Sequence, residues 1–186
     1  MPKSTRVRLL LVSGSMRAGS VNAAVLRTLA AIAPEGVETE IYEGLGTLPH
    51  FNPDDDYEPL DPAVLALRAA IASADAVLFS TPEYAGALPG SFKNLLDWTV
   101  GGGELYGKPV AWVNASGLGA PTGGKHAHDS LRTVLGYTGA AIVEQACVRV
   151  PVARKAVGDD GLIRDEEIRK GLRASLDVIV PFTRVR

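Results

Sequence analysis

The chain has 186 residues, 46% hydrophobic and 22% charged, with 20 glycines and 12 prolines, which suits one globular α/β domain over residues 1–186 and excludes wholesale disorder. Nineteen basic and 21 acidic side chains leave a net charge of −2, too little field to attract nucleic acid or an anionic membrane, so any anion must be recognised locally. Cys147 is the lone cysteine and cannot form an internal disulfide, and the apolar run Leu9 to Val12 is too short for a signal-peptide core or a membrane span, so a cytoplasmic setting is expected.

Residues 7–13 are rich in β-branched and aliphatic residues, lack polar alternation and run into Gly14, as expected of a central parallel strand buried on both faces. Val25, Leu29 and Ile32 then recur at helical spacing over residues 22–33, and Pro34 with Gly36 ends that helix. Val37, Thr39 and Ile41 alternate with Glu38, Glu40 and Tyr42, the pattern of a strand near a sheet edge. Asp61-Pro62 opens a second helix carrying Val64, Leu67 and Ile71, and residues 76–80 form a short buried strand. A third helix is predicted from Pro89 or Gly90 to about Val100, with Trp98 as core, followed by a fourth strand at residues 110–114. Leu131, Val134 and Leu135 mark a fourth helix, the alternation over residues 141–150 predicts a fifth strand, and Asp165 with Glu166 and Glu167 opens the last helix. Five strand–helix alternations specify a three-layer doubly wound five-stranded parallel sheet, and weak edge candidates at the second and fifth strands favour the order 2-1-3-4-5. Ligands of such sheets sit beyond the carboxyl ends of the strands, where the winding reverses.

Three loops at those ends carry chemistry. The first places Ser15, Arg17, Ser20, Val21 and Asn22 beside Gly14 and Gly19 at a helix start, where hydroxyls, an amide, a guanidinium and free N–H groups can converge on one terminal phosphate. It lacks the three-glycine dinucleotide spacing and any Gly-Lys-Ser/Thr. The alternative is that the serines only cap the helix and Arg17 is a solvated charge. The second loop contains Pro82, Glu83, Tyr84, Ala85, Gly86 and Pro89; its prolines stiffen it and Gly86 admits a flat ring against free main-chain N–H groups. There the alternative makes Glu83 a solvated acid and Tyr84 a half-buried anchor. Residues 116–124 form a third glycine-rich loop.

These motifs resemble the NADPH-dependent FMN reductase family, whose flavodoxin-like members include quinone, chromate and azo-dye reductases. The first loop is similar to its Gly-Ser-x-Arg-x-x-Ser-x-Asn signature, and Pro82, Glu83, Tyr84, Gly86, Pro89, Gly90, Lys93, Asn94, Asp97 and Trp98 fall on its second motif. Residues 48–54 and 159–167 extend the likeness, while His50 departs from the family's usual apolar residue. The resemblance implies that Ser15, Arg17, Ser20, Val21 and Asn22 hold the FMN phosphate. It also implies that Pro82, Glu83, Tyr84, Ala85 and Gly86 form the isoalloxazine shelf largely through backbone, and that Ser116 and Gly119 help close the site. It further implies a homodimer or homotetramer, NADPH or NADH as electron donor, and a small-molecule acceptor such as a quinone, reduced by ping-pong hydride transfer in the same place.

The alternative function is a flavodoxin-type FMN electron carrier, although such carriers are usually strongly acidic with a threonine-rich phosphate loop. A phosphoryl-receiver domain would need acids where Ser13, Gly14, Ser80 and Thr81 stand. A flavin-free hydrolase or transferase is the third rival. His126 and His128, two apart on a helix, are expected at the surface or the flavin rim, and Asp54 to Asp56 as solvated acids, so no metal site is proposed.

Overall fold

The computed structural model describes residues 6–117 and 119–184. The aliphatic run forms β1 (Val7–Ser13), followed by α1 (Val21–Ala31) and β2 (Val37–Tyr42). Then come α2 (Pro62–Ser73), β3 (Ala76–Ser80), α3 (Gly90–Asp97) and β4 (Pro109–Asn114). The chain continues through α4 (Lys125–Tyr137), β5 (Ala141–Ile142), β6 (Val148–Arg149) and α5 (Glu166–Arg184). All strand pairs are parallel, in the order β2-β1-β3-β4-β5, with β6 also on β4.

Alternate residues of the central strands face opposite layers, as the pleat requires. Leu9, Leu11, Leu78 and Val113 pack with Leu26 and Leu29 of α1 and Leu172 and Leu176 of α5. Leu10, Val12, Phe79 and Trp112 pack on the other side with Leu67 of α2, Phe92 of α3 and Leu131 of α4. Trp98 is buried at the end of α3 as expected, its indole Nε1 donating to the Pro49 carbonyl at 2.9 Å. The helix itself stops at Asp97, three residues before the predicted end.

The fifth strand is broken. Ile142 lies opposite Val110 and Val148 opposite Val113, so six steps along one chain match three along the other. The surplus is taken up by a 3-10 turn at Glu144–Ala146. Glu144 and Gln145 are both exposed in this turn, which aims the Ala146 carbonyl at Ser175 Oγ of α5, 2.7 Å away. Cys147 is only half-buried, and burial pushes its thiol up to about 11, so it stays protonated and inert at neutral pH. The acidic run divides: Asp54 and Asp55 are exposed, whereas Asp56 pairs with Arg68 at 2.6 Å.

Candidate functional site

The sheet winds outward in both directions from β1 and β3, and the crevice between their carboxyl ends is where a ligand is expected. Gly14 marks the point where the two connecting loops cross. A Cβ there would stand 2.2 Å from Thr81 Oγ1, so only glycine lets them pass. Beyond it opens a cleft of about 270 Å³, lined from all three loops by residues including Val21, Asn22, Pro82, Glu83, Ser116 and Thr122. Another concavity, beside Arg8, Glu38 and Ser73, lies at the amino ends of β1 and β2, the wrong end of a parallel sheet for a ligand.

In the first loop the serines are engaged locally. Ser15 Oγ accepts from the Arg17 N–H at 3.3 Å, and the buried Ser20 caps α1 by accepting from the Ala23 N–H at 3.5 Å. Arg17 is exposed, and its guanidinium has no hydrogen-bond or ion-pair partner among the described residues. Asn22 Oδ1 accepts from Ser80 Oγ at 2.9 Å, which fixes the amide at the end of β3 and leaves its NH2 without a partner among the described residues. The Val21 and Asn22 main-chain N–H groups likewise meet no acceptor there, so the positive end of α1 opens toward the cleft.

The second loop is a tight hairpin turn. Tyr84 and Ala87 exchange both main-chain hydrogen bonds at 3.0 Å, with Ala85 (φ +50°) and Gly86 (φ +72°) between them in the left-handed region that such two-residue turns demand. The N–H groups of Ala85 and Gly86 have no acceptor among the described residues. Glu83 is not the solvated acid of the alternative reading: Oε1 accepts from Thr122 Oγ1 at 2.7 Å, and Oε2 from the His126 and Ala127 N–H groups at 3.0 and 3.2 Å. The Thr122 hydroxyl, with those two N–H groups, holds the carboxyl below its ordinary range against the opposing effect of burial.

The third loop hangs from Asn114, whose amide donates to the Gly123 carbonyl at 2.7 Å and accepts from the Ser116 N–H at 2.9 Å. Ser116 lines the cleft, Gly119 is exposed and outside the lining, and Leu118 lies outside the described residues. His126 is exposed on α4, its Nδ1 3.9 Å from Glu83 Oε1. His128 is not at the surface or rim. It is buried edge-on against Trp112 with ring centroids 5.8 Å apart, its Nε2 has no hydrogen bond, and burial pushes its pKa down to about 4.

Five of the residues singled out from sequence, Val21, Asn22, Pro82, Glu83 and Ser116, therefore line one cleft, with Ser15, Arg17, Ser20 and the Tyr84–Ala87 turn in the same loops. Sequence reasoning missed Asn114, Thr122 and Val152. An Asn ending a strand before a glycine-rich loop is a turn signal that points to the first; Thr122 lies in the third loop but its bond to Glu83 is made only in space, as is the approach of Val152.

Comparison with known proteins shows which family the chain resembles. The chain is 31% identical over 183 residues to an NAD(P)H-dependent FMN reductase of Pseudomonas aeruginosa, covering 97% of each. It is 32% identical over 184 residues to a 2-hydroxy-1,4-benzoquinone reductase of a Burkholderia species, covering 97% of this chain and 98% of that one. Among solved structures, FerB, a flavoenzyme NAD(P)H:(acceptor) oxidoreductase from Paracoccus denitrificans, superposes with a TM-score of 0.74 at 28% identity, covering 94% of this chain and 98% of that one. Residues 7–155 match the family described as NADPH-dependent FMN reductase, and the chain belongs to that family.

Proposed function

We propose that this chain is an FMN-dependent NAD(P)H oxidoreductase that reduces a small acceptor such as a quinone. The observation that carries the reading is the open positive end of α1: among the described residues the Val21 and Asn22 N–H groups, the Arg17 guanidinium in the same loop and the Asn22 NH2 beside them meet no partner. These are the donors a phosphate monoester requires. FMN also fits the ring side, where the Ala85 and Gly86 N–H groups, in a tight left-handed turn, meet no acceptor among the described residues.

On this reading Ser15, Arg17, Ser20, Val21 and Asn22 hold the phosphate, and Pro82 to Gly86 seat the ring through main-chain atoms. Ser116 and Gly119 belong to the loop that closes the cleft. Bound FMN supplies the two-electron hydride chemistry between nicotinamide and acceptor. The chain's own residues bind and orient the partners and leave one face of the seat accessible; no side-chain acid or base is assigned. Family membership supports assembly as a homodimer or homotetramer. Among the described residues no helix is long and apolar enough to cross a membrane.

A visible spectrum of the purified protein, followed by anaerobic titration with NADPH and NADH and then a quinone, tests the assignment. The flavin band should bleach with either or both nucleotides and return with the quinone. A flavin that bleaches only with dithionite would instead identify an electron carrier. FMN should bind in preference to FAD, and equal or tighter FAD binding in calorimetry would mean the phosphate seat has been misplaced.

A further inference from the structure

The Glu83 side chain does something its neighbours do not. Pro82 lines the cleft and the Tyr84–Ala87 turn closes on itself through main-chain hydrogen bonds, while the Glu83 carboxylate turns toward the third loop and the start of α4, where its side chain is only 14% exposed. There it accepts from Thr122 Oγ1, His126 N and Ala127 N, donors 39 to 44 residues away in sequence. Thr122 Oγ1 in turn accepts from the Gly124 N–H at 3.3 Å, so one carboxylate organises both the loop and the helix start. Among the described residues these are the only side-chain hydrogen bonds from residues 81–90 to another segment. The turn they steady contains Ala85 at φ +50°, a conformation a non-glycine residue keeps only when its surroundings enforce it.

We infer that Glu83 is a positioning residue for the flavin ring: its carboxylate clamps the ring-side loop to the third loop and to α4, so the seat is formed before the ligand arrives. The inference rests on the flavin reading above. Losing the clamp would oblige each binding event to order the loop anew, weakening ring binding whether or not the ligand carries a phosphate.

The test titrates FMN and riboflavin into wild-type, Glu83→Gln and Glu83→Ala apoproteins by flavin fluorescence, with the visible spectrum of the saturated flavin and a thermal melt of each apoprotein. Glu83→Ala should weaken both flavins by the same factor, roughly tenfold, and alter the bound flavin's absorption band. Glu83→Gln should fall between, since its amide oxygen still accepts a hydrogen bond but carries no charge. Thr122→Val, which removes one donor and no charge, should repeat the pattern more weakly and serves where Glu83→Ala does not fold. Unchanged affinities and spectrum, whatever the melt does, overturn the inference, because a purely structural acid would move only the melt. Loss confined to FMN also overturns it. Wild-type protein that binds no flavin overturns the functional reading as well, whereas wild type that binds beside variants that bind equally overturns this inference alone.

Discussion

The starts of α1 and α4 look alike in sequence and differ in what they can do. Both follow a hydroxyl- and glycine-bearing loop at the carboxyl end of the sheet, and the peptide dipoles of both favour an anion. At α4 the protein supplies that anion itself, because Glu83 takes the N–H groups of His126 and Ala127. At α1 no acid intrudes, and the N–H groups of Val21 and Asn22 stay unmet among the described residues. On the proposed reading a phosphate-bearing ligand enters the cleft in one polarity, with its phosphate at α1. Composition does not separate the two starts; what separates them is whether a side chain from elsewhere already fills the position.

The comparison breaks most severely if α1 is given an anion of its own. In Ser15→Asp the new carboxylate can still accept from the Arg17 N–H, so the fold should hold. Opposed to a phosphate, it should cost on the order of 4 kcal/mol, roughly a thousandfold in FMN affinity, with riboflavin nearly unaffected. Fluorescence titrations with the two flavins check this, and wild-type FMN affinity in the variant would leave the α1 seat without support.

Acid should distinguish the two helix starts next. His128 has its pKa lowered from 6.5 to about 4, so the unfolded chain binds the extra proton first as pH falls. The stability this contributes is complete above the unfolded value and is lost between about pH 6.5 and 4, amounting to roughly 3 kcal/mol. Glu83, whose carboxyl is also depressed, adds stability present above the ordinary carboxylate range and lost as pH drops through its lowered value. Urea unfolding of the apoprotein across this range should show the slope, and His128→Gln should flatten its upper part. Hydrogen exchange should quicken in the first turn of α4 before it does in α1.

Arg17→Ala sharpens the contrast without adding charge. Losing a charge-assisted contact to phosphate should cost about 1.5 to 3 kcal/mol, roughly ten- to a hundredfold in FMN affinity, with riboflavin binding and the apoprotein melt unchanged. Parallel loss of both flavins would instead make Arg17 a structural residue. The smallest effect is expected at the ring-side turn, where Ala85→Gly relieves the left-handed strain against a greater loss of chain entropy. It should stabilise the apoprotein by about 0.5 to 1 kcal/mol, read as a higher melting temperature.

Much of this architecture was legible in the chain. The mainly aliphatic strand at residues 7–13 and the Asp61-Pro62 start of α2 both fell where expected, because they depend on short-range patterns and caps. The break between β5 and β6 was hidden behind apparent alternation, and the turn that makes it is engaged by Ser175, 29 residues away from Ala146. His128 was misplaced for a related reason: its helix position is local, but the Trp112 that covers it comes from β4.

By itself the sequence determined the order of strands and helices and the three loops that meet at the carboxyl ends, because apolar spacing and turn residues act over a few neighbours. Tertiary structure alone decided which of two similar helix starts remains open. Filling α4 required a carboxylate about forty residues earlier in the chain to be carried alongside it by the winding of the sheet, and no local pattern records where a distant side chain will land.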